Sequence, residues 1–393
     1  MITLPPYIIY LLSFICALSA SIISVPRIIH VSKRKKLFDI PDNKRKIHLT
    51  ITPNLGGVGI FFAYIIVTSL FITSPFAEKW NYIIASSVIL FLTGINDDLV
   101  SLGPGKKFLA QFIAAIITVC LADVRINSLH GILGIYQMPY WYSVSFTIIG
   151  VIFITNAFNL IDGIDGLAGA IGVLVTFSLG VCLAMLDNIG PACIAFSLMG
   201  ATLGFLRYNI SPAKIFMGDT GSLLIGFTIS ILSILFIHAY TVDNPLAAVI
   251  HSHKGSTIVA VALLFVPIFD SFRVFLKRII KGGSPFHADR SHLHHYLLDM
   301  GFTHSRSVTI LITSNILIIT VALLVQDYEP NVALGCMISI GLILFMVMYI
   351  LRKNRLEKNK ALMQEKKNAL QNLNTPAINL YGPKDSIAIN SKI

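Results

Sequence analysis

Residues 156–169 read Asn-Ala-Phe-Asn-Leu-Ile-Asp-Gly-Ile-Asp-Gly-Leu-Ala-Gly, between two long apolar runs at 143–155 and 167–186. Taken with their borders, the runs give helices over 143–160 and 166–187, each near the ~20 residues needed to cross a hydrocarbon core of ~30 Å. Asn156, Asn159, Asp162 and Asp165 recur at every third position. That spacing predicts neighbours on adjoining parts of one helix face. Gly163 and Gly166 weaken a helix there and admit another backbone or a ligand. Carboxylates at a membrane boundary are costly unless they meet a metal, a cation or water. The stretch therefore reads as one wall of a polar site at a membrane surface, with Asn156 as its most structural member.

The pattern of apolar run and polar border repeats along the whole chain. Of 393 residues, 55% are hydrophobic and only 12% charged, against about 25% charged in soluble proteins; mean hydropathy is +0.77. The expected class is an all-α polytopic integral membrane protein. Its eleven transmembrane helices fall at 5–26, 55–74, 81–96, 107–122, 143–160, 166–187, 190–207, 219–240, 256–276, 307–325 and 332–351. The first run lacks a basic leader and reads as a span, not a cleaved signal. The net charge of +11 points to anionic lipid and cytoplasmic loops, with no nucleic-acid partner. Cys16, Cys120, Cys182, Cys193 and Cys336 all lie in apolar runs without a CxxC pair, which argues against zinc and a disulfide framework.

Strict alternation from a cytoplasmic 27–54 loop places 27 of the 30 Lys and Arg on one side, leaving Lys79, Arg125 and Lys254 on the other. The positive-inside rule then puts the N-terminus outside and the C-terminus in the cytoplasm. Residues 1–351 form the membrane-embedded domain and 352–393 a basic cytoplasmic tail. That tail is expected to be helical at the lipid surface as far as 375 and disordered after Pro376. External segment 123–142 reads as a small strand pair without chemistry.

Every chemically suggestive motif falls on the cytoplasmic side. Loop 39–57 carries Lys46 and His48 before Pro53-Asn54-Leu55-Gly56-Gly57 and suits a phosphate, although a plain basic loop has the same composition. Asn96-Asp97-Asp98 ends the third helix. Adjacent acids oppose the helix dipole there, raise each other's pKa and suit general-base or cation-binding work. Lys106 and Lys107 follow as candidate phosphate ligands. Asp219, in Phe216-Met217-Gly218-Asp219-Thr220-Gly221-Ser222, is either an ordinary N-cap or a metal ligand. The segment His287-Ala-Asp-Arg290-Ser-His292-Leu-His294-His295 lacks a second cluster to complete a zinc site and fits a pyrophosphate better. His30, His130, His238, His251, His253 and His304 read as structural or surface residues. No Walker motif, GxGxxG or GxSxG is present. Basic residues for phosphates, carboxylates for Mg²⁺ and a site open to cytosol and lipid together suggest metal-assisted transfer at phosphorus, from a soluble diphosphate donor to a lipid acceptor. The rival from another class, an ion-coupled secondary transporter, needs acids near the bilayer midplane.

Five motifs in order carry a family resemblance: Lys-Ile-His…Pro-Asn-Leu-Gly-Gly, Asn-Asp-Asp, Asn-Ala-Phe-Asn-Leu-Ile-Asp-Gly-Ile-Asp-Gly-Leu, Phe-Met-Gly-Asp-Thr-Gly-Ser and Asp-Arg-Ser-His-Leu-His-His. Over residues 25–305 the chain resembles the polyprenyl-phosphate N-acetylhexosamine-1-phosphate transferases, the WecA/MraY superfamily, and His292-Leu-His294-His295 is similar to the WecA branch. The resemblance implies transfer of GlcNAc-1-phosphate from UDP-GlcNAc to undecaprenyl phosphate in the bacterial cytoplasmic membrane. UMP is released, and a lipid-linked envelope glycan such as O-antigen, a surface polysaccharide or teichoic acid is begun. Another UDP-N-acetylhexosamine, or UDP-MurNAc-pentapeptide, is the alternative donor. The resemblance implies Mg²⁺, or Mn²⁺, on Asp219, with Asp165 as partner and with Asp162 and Asn159 lining the uridine or metal side. It implies that one of Asp97 and Asp98 activates or positions the lipid phosphate. It also implies that His292, His294, His295 and Arg290 grip the sugar-nucleotide. Direct attack by the lipid phosphate is the favoured mechanism, and a homodimer is compatible with the sequence.

Overall fold

The computed structural model describes residues 4–37, 52–72, 76–282 and 291–373. These form α1 (Pro6–Lys35), α2 (Gly56–Phe71), α3 (Ala77–Val100), α4 (Pro104–Ile116), α5 (Tyr140–Ile161), α6 (Leu167–Met185), α7 (Ile189–Asn209), α8 (Gly218–Ala239), α9 (His253–Leu263), α10 (Phe265–Ile280), α11 (Leu293–Asp299), α12 (His304–Val325) and α13 (Pro330–Leu373). A helix lies at the place of every predicted span. Among the described residues nine are long and apolar enough to cross a membrane, counting α4 with the π-helical turn Ile117–Leu121 that extends it. The bent pair α9–α10 makes a tenth, and α2, with 16 residues, is a shorter apolar helix.

α8 is the axis of the bundle. Its sequence is apolar on all sides, which predicts burial on all sides, and every residue from Thr220 to Phe236 is buried. Helices α2, α3, α5 and α6 pack around it. In lipid such association is driven by close packing and hydrogen bonding, which favours small contact residues. Gly57 of α2 shows this: a Cβ there would lie 2.1 Å from the Gly221 nitrogen. Two of the α8 hydroxyls are satisfied within the helix, Ser230 donating to the Phe227 carbonyl at 2.7 Å and Ser233 to that of Ile229 at 2.9 Å.

Three expectations need correction. The predicted helix 256–276 is two helices meeting at Leu264 with a bend of 67°. Pro267 is the cause, since it has no N–H and its ring crowds the carbonyl of Leu263. The freed groups are taken up by Asn315 of α12, which accepts from the Val266 N–H at 3.1 Å and donates to the Leu263 carbonyl at 3.1 Å. Asn315 is fully buried. Asn315→Leu should therefore destabilise the fold by about 2–4 kcal/mol, two buried backbone groups losing their partners. A lowered melting midpoint in detergent checks this, and an unchanged midpoint rejects it.

The second correction concerns α3, which runs on to Val100, so Asp97 and Asp98 lie within its last turn and do not end it. Third, segment 123–142 holds no strand. Its ends are tied by Met138 N–H to the Asn127 carbonyl at 2.9 Å, and Ile132–Gly134 forms a short 3₁₀ turn. The helix expected in the tail is present from 352 to 373, as the unbroken continuation of α13. The region after Pro376 lies outside the described residues.

Candidate active site

The ends of α3, α4, α5 and α8 converge on one side of the bundle. The row of polar residues at 156–165 is divided by the end of α5: Asn156 and Asn159 lie on the helix, Asp162 is its C-cap, and Asp165 sits in the turn before α6. Gly166, with φ +81°, makes that turn, so the single helix face expected for all four residues is not formed. Asn209 at the end of α7 fixes the turn, accepting from the Gly166 N–H at 2.9 Å and donating to the Ile215 carbonyl at 2.9 Å. Asn156 is structural in its contacts, pairing with Gln111 of α4 and donating to the Ile152 carbonyl at 2.8 Å.

Two acids in the last turn of a helix face its negative pole, and each finds a different compensation. Asp98 caps α8, a helix other than its own. Its Oδ1 accepts from the Asp219 N–H at 2.8 Å, and its Oδ2 accepts from the Thr220 N–H at 3.1 Å and the Thr220 hydroxyl at 2.6 Å. These are first-turn donors with no partner inside α8. Gly218 permits the approach: its φ is +72°, and a Cβ there would lie 2.5 Å from Asp98 Oδ2 and 2.2 Å from the Asn54 carbonyl. Asp97 turns the other way. Its Oδ1 accepts from the Leu102 N–H at 2.6 Å, and its Oδ2 lies 2.7 Å from Lys107 Nζ.

The same Lys107 nitrogen lies 2.7 Å from Asp219 Oδ2. Lys107, expected at a phosphate, here joins two carboxylates contributed by two helices. Asn159 donates to Asp219 Oδ1 at 2.9 Å and to Ser222 at 3.0 Å. Asp219 does not cap its own helix, which Asp98 already does. Lys106 is exposed. Burial, then the charges of Asp219, Asp98 and Asp165, push the Asp162 carboxyl well above its ordinary range, opposed by a hydrogen bond from the Gly218 backbone.

Asp165 is buried. Its Oδ2 accepts from the Ala213 N–H at 3.2 Å and lies 3.2 Å from His304 Nδ1. The Asp219 carboxylate contacts Lys107 and Asn159, and Asp165 is not among its direct partners.

The His motif is also inside the protein. His292 and His294 are buried and their rings stack at 5.8 Å, with His295 4.2 Å from His294. His294 lies on the Asp162–Asp165 turn, because a Cβ on Gly163 would fall 2.3 Å from His294 Nε2. A Cβ at 163 would thus require the histidine above it to shift. Burial first, then His295, hold His294 down at about 3, so it is neutral. Lys46, His48 and Arg290 lie outside the described residues.

Three contributors escaped the sequence reading. His304 partners Asp165, and no local pattern marks it. Asp270 and Arg273 do carry a signal: an acid and a base three apart within an otherwise apolar span, a placement that is costly in a membrane unless the residues are used. Asp270 Oδ2 lies 3.0 Å from His292 Nδ1, and Arg273 donates to Asp270 Oδ1 at 2.6 Å.

Among the described residues no three His, Cys, Asp or Glu side chains form a ready metal cage. Mg²⁺ does not require one, since it is held by one or two carboxylates plus water and substrate phosphates. The donor set here fits it: hard oxygens only, on carboxylates so crowded that one shares an ammonium and another is pushed toward protonation.

The sequence pattern of glycosyl transferase family 4 matches residues 80–237. A probable undecaprenyl-phosphate N-acetylglucosaminyl 1-phosphate transferase of Bacillus subtilis is 32% identical over 301 residues, covering 76% of this chain and 80% of that protein. A decaprenyl-phosphate N-acetylglucosaminephosphotransferase of Mycobacterium tuberculosis is 31% identical, covering 68% and 70%. An undecaprenyl-phosphate alpha-N-acetylglucosaminyl 1-phosphate transferase of Escherichia coli K12 is 30% identical, covering 72% and 74%.

Proposed function

The chain belongs to the polyprenyl-phosphate glycosyl-1-phosphate transferases of glycosyl transferase family 4, and from that premise we propose that it transfers GlcNAc-1-phosphate from UDP-GlcNAc to undecaprenyl phosphate. An oxygen of the lipid phosphate attacks the sugar-bearing phosphorus. The new P–O bond forms as the bridging P–O bond breaks, and UMP leaves with the bridging oxygen. A phosphate monoester at neutral pH is already a nucleophile, so the protein's task is to position and to neutralise charge. The product is the first lipid-linked intermediate of an envelope glycan.

The observation that carries this reading is the Asp97–Lys107–Asp219 bridge, set at the N-terminus of α8 and backed by Asn159. Asp98 already occupies the first N–H groups of α8, so the cation available to a phosphate here is Lys107, which stands beside the two acids. When bound, a divalent cation on Asp219, with Asn159, Asp162 or Asp165 alongside, supplies neutralisation of the diphosphate. Asp97 faces the acceptor phosphate, Asp98 fixes the α8 terminus, and His292, His294 and His295 hold the sugar-nucleotide. The skew of Lys and Arg supports a site on the cytoplasmic face.

Purified protein given Mg²⁺, undecaprenyl phosphate and a panel of UDP-sugars is expected to release UMP with UDP-GlcNAc and to yield a lipid of the matching mass. Product from a different UDP-N-acetylhexosamine alone would reassign the donor. Uptake of a solute into proteoliposomes without UMP release would overturn the reaction class.

A further inference from the structure

Behind the His motif lies an ion-pair network that the transfer has not so far required. Asp270 is 1% exposed and Arg273 stands one turn away on α10. One Asp270 carboxylate takes three donors: His292 Nδ1 at 3.0 Å, the Leu293 N–H at 3.0 Å and Arg273 Nη2 at 2.6 Å. Arg273 also donates to the Ser291 carbonyl at 2.5 Å, and its guanidinium lies 4.6 Å from the Phe345 ring centre and 5.3 Å from that of Tyr296. Residues 291, 292 and 293 are thus held at successive positions by a single acid–base pair, and α13 closes over it. An Asp–Arg pair that served packing alone would gain nothing from a histidine; apolar residues of the same volume serve as well or better. Here the acid is directed onto a histidine ring. A hydrogen bond at one ring nitrogen fixes the tautomer and orientation of the other.

We infer that Asp270, braced by Arg273, is a positioning residue for the proposed transfer: it occupies Nδ1 of His292 and leaves Nε2 as the acceptor nitrogen that meets an N–H or O–H of the sugar-nucleotide. The inference rests on the transferase reading. It assigns a role in donor handling to a buried pair outside the five motifs and predicts that this role is exerted through His292.

The test is a double-mutant cycle on the full-length protein, reading UMP release across matrices of UDP-GlcNAc and undecaprenyl phosphate concentration. Asp270→Asn is expected to lower kcat/KM for the donor about 100-fold, the scale of losing the support of a functional histidine, while KM for the lipid stays as in wild type. Added to His292→Ala, it should have no further effect. Losses that multiply in the double variant, or an Asp270→Asn protein with wild-type donor kinetics, overturn the inference. Should Asp270→Asn fail to fold in a detergent melt, Arg273→Lys replaces it in the same cycle. Non-additivity with His292→Ala then supports the inference and independence overturns it. A wild-type protein silent with every UDP-sugar removes the transferase reading and this inference together, whereas an active wild type with additive variants removes this inference alone.

Discussion

Asp219→Ala is expected to lower UMP release by about 1,000-fold in a protein that still folds. Charge stabilisation by a bound cation at a phosphoryl centre is worth several kcal/mol, and each 1.36 kcal/mol is about tenfold in rate. The fold should survive because the partners left behind have others. Lys107 keeps Asp97 at 2.7 Å and Asn159 keeps Ser222 at 3.0 Å. The Asp219 amide, which takes part in the capping by Asp98, is unaffected by a side-chain truncation. A second measurement separates loss of the cation site from general damage. Mg²⁺ should raise the melting midpoint of the wild-type protein, since a ligand bound only by the native state stabilises it, and should leave that of Asp219→Ala unmoved. Full activity in the variant would remove Asp219 from the site.

The helical architecture is legible in the sequence because apolar runs of membrane length have few alternative readings. The helices over 143–160 and 166–187 differ from α5 and α6 by a few residues at each end. The bend at Leu264 was also written in the sequence, in Pro267, but a proline in an apolar run does not show whether a neighbour will satisfy the freed backbone groups. Asn315, 48 residues further on, does so. The site is legible in a different way. Acids and histidines beside glycines mark which loops carry chemistry, but not which residue faces which. Asp97 and Asp98 are indistinguishable in sequence, and it is their rotation around α3 that sends one to Lys107 and the other to α8. Asp162 and Asp165 are equally alike, yet Asp165 goes to His304, a residue without any motif to announce it. Tertiary contact decides each of these cases, and residue type alone is silent on it.

The division between the two adjacent acids leads to the second large effect. Asp98→Ala should cost stability and activity together, whereas Asp97→Ala should cost mainly activity. Removing the Asp98 carboxylate leaves the Asp219 N–H, the Thr220 N–H and the Thr220 hydroxyl without their acceptor, and Thr220 is fully buried. A buried donor left unpaired costs about 1–3 kcal/mol. Partial relaxation makes about 3 kcal/mol a fair expectation for the set, seen as a lowered melting midpoint in detergent. The same loss frees the first turn of α8, which carries Asp219, so transfer should fall with it. Asp98→Asn should be nearly as harmful despite its shape, because an amide nitrogen cannot accept from the donors that face it. Asp97→Ala strips an acceptor from one amide, that of Leu102, while Lys107 retains Asp219. Its midpoint should stay close to wild type even as UMP release falls. An Asp98→Ala protein that melts with the wild type would show that α8 does not depend on this cap, and the separation of roles between Asp97 and Asp98 would have to be abandoned.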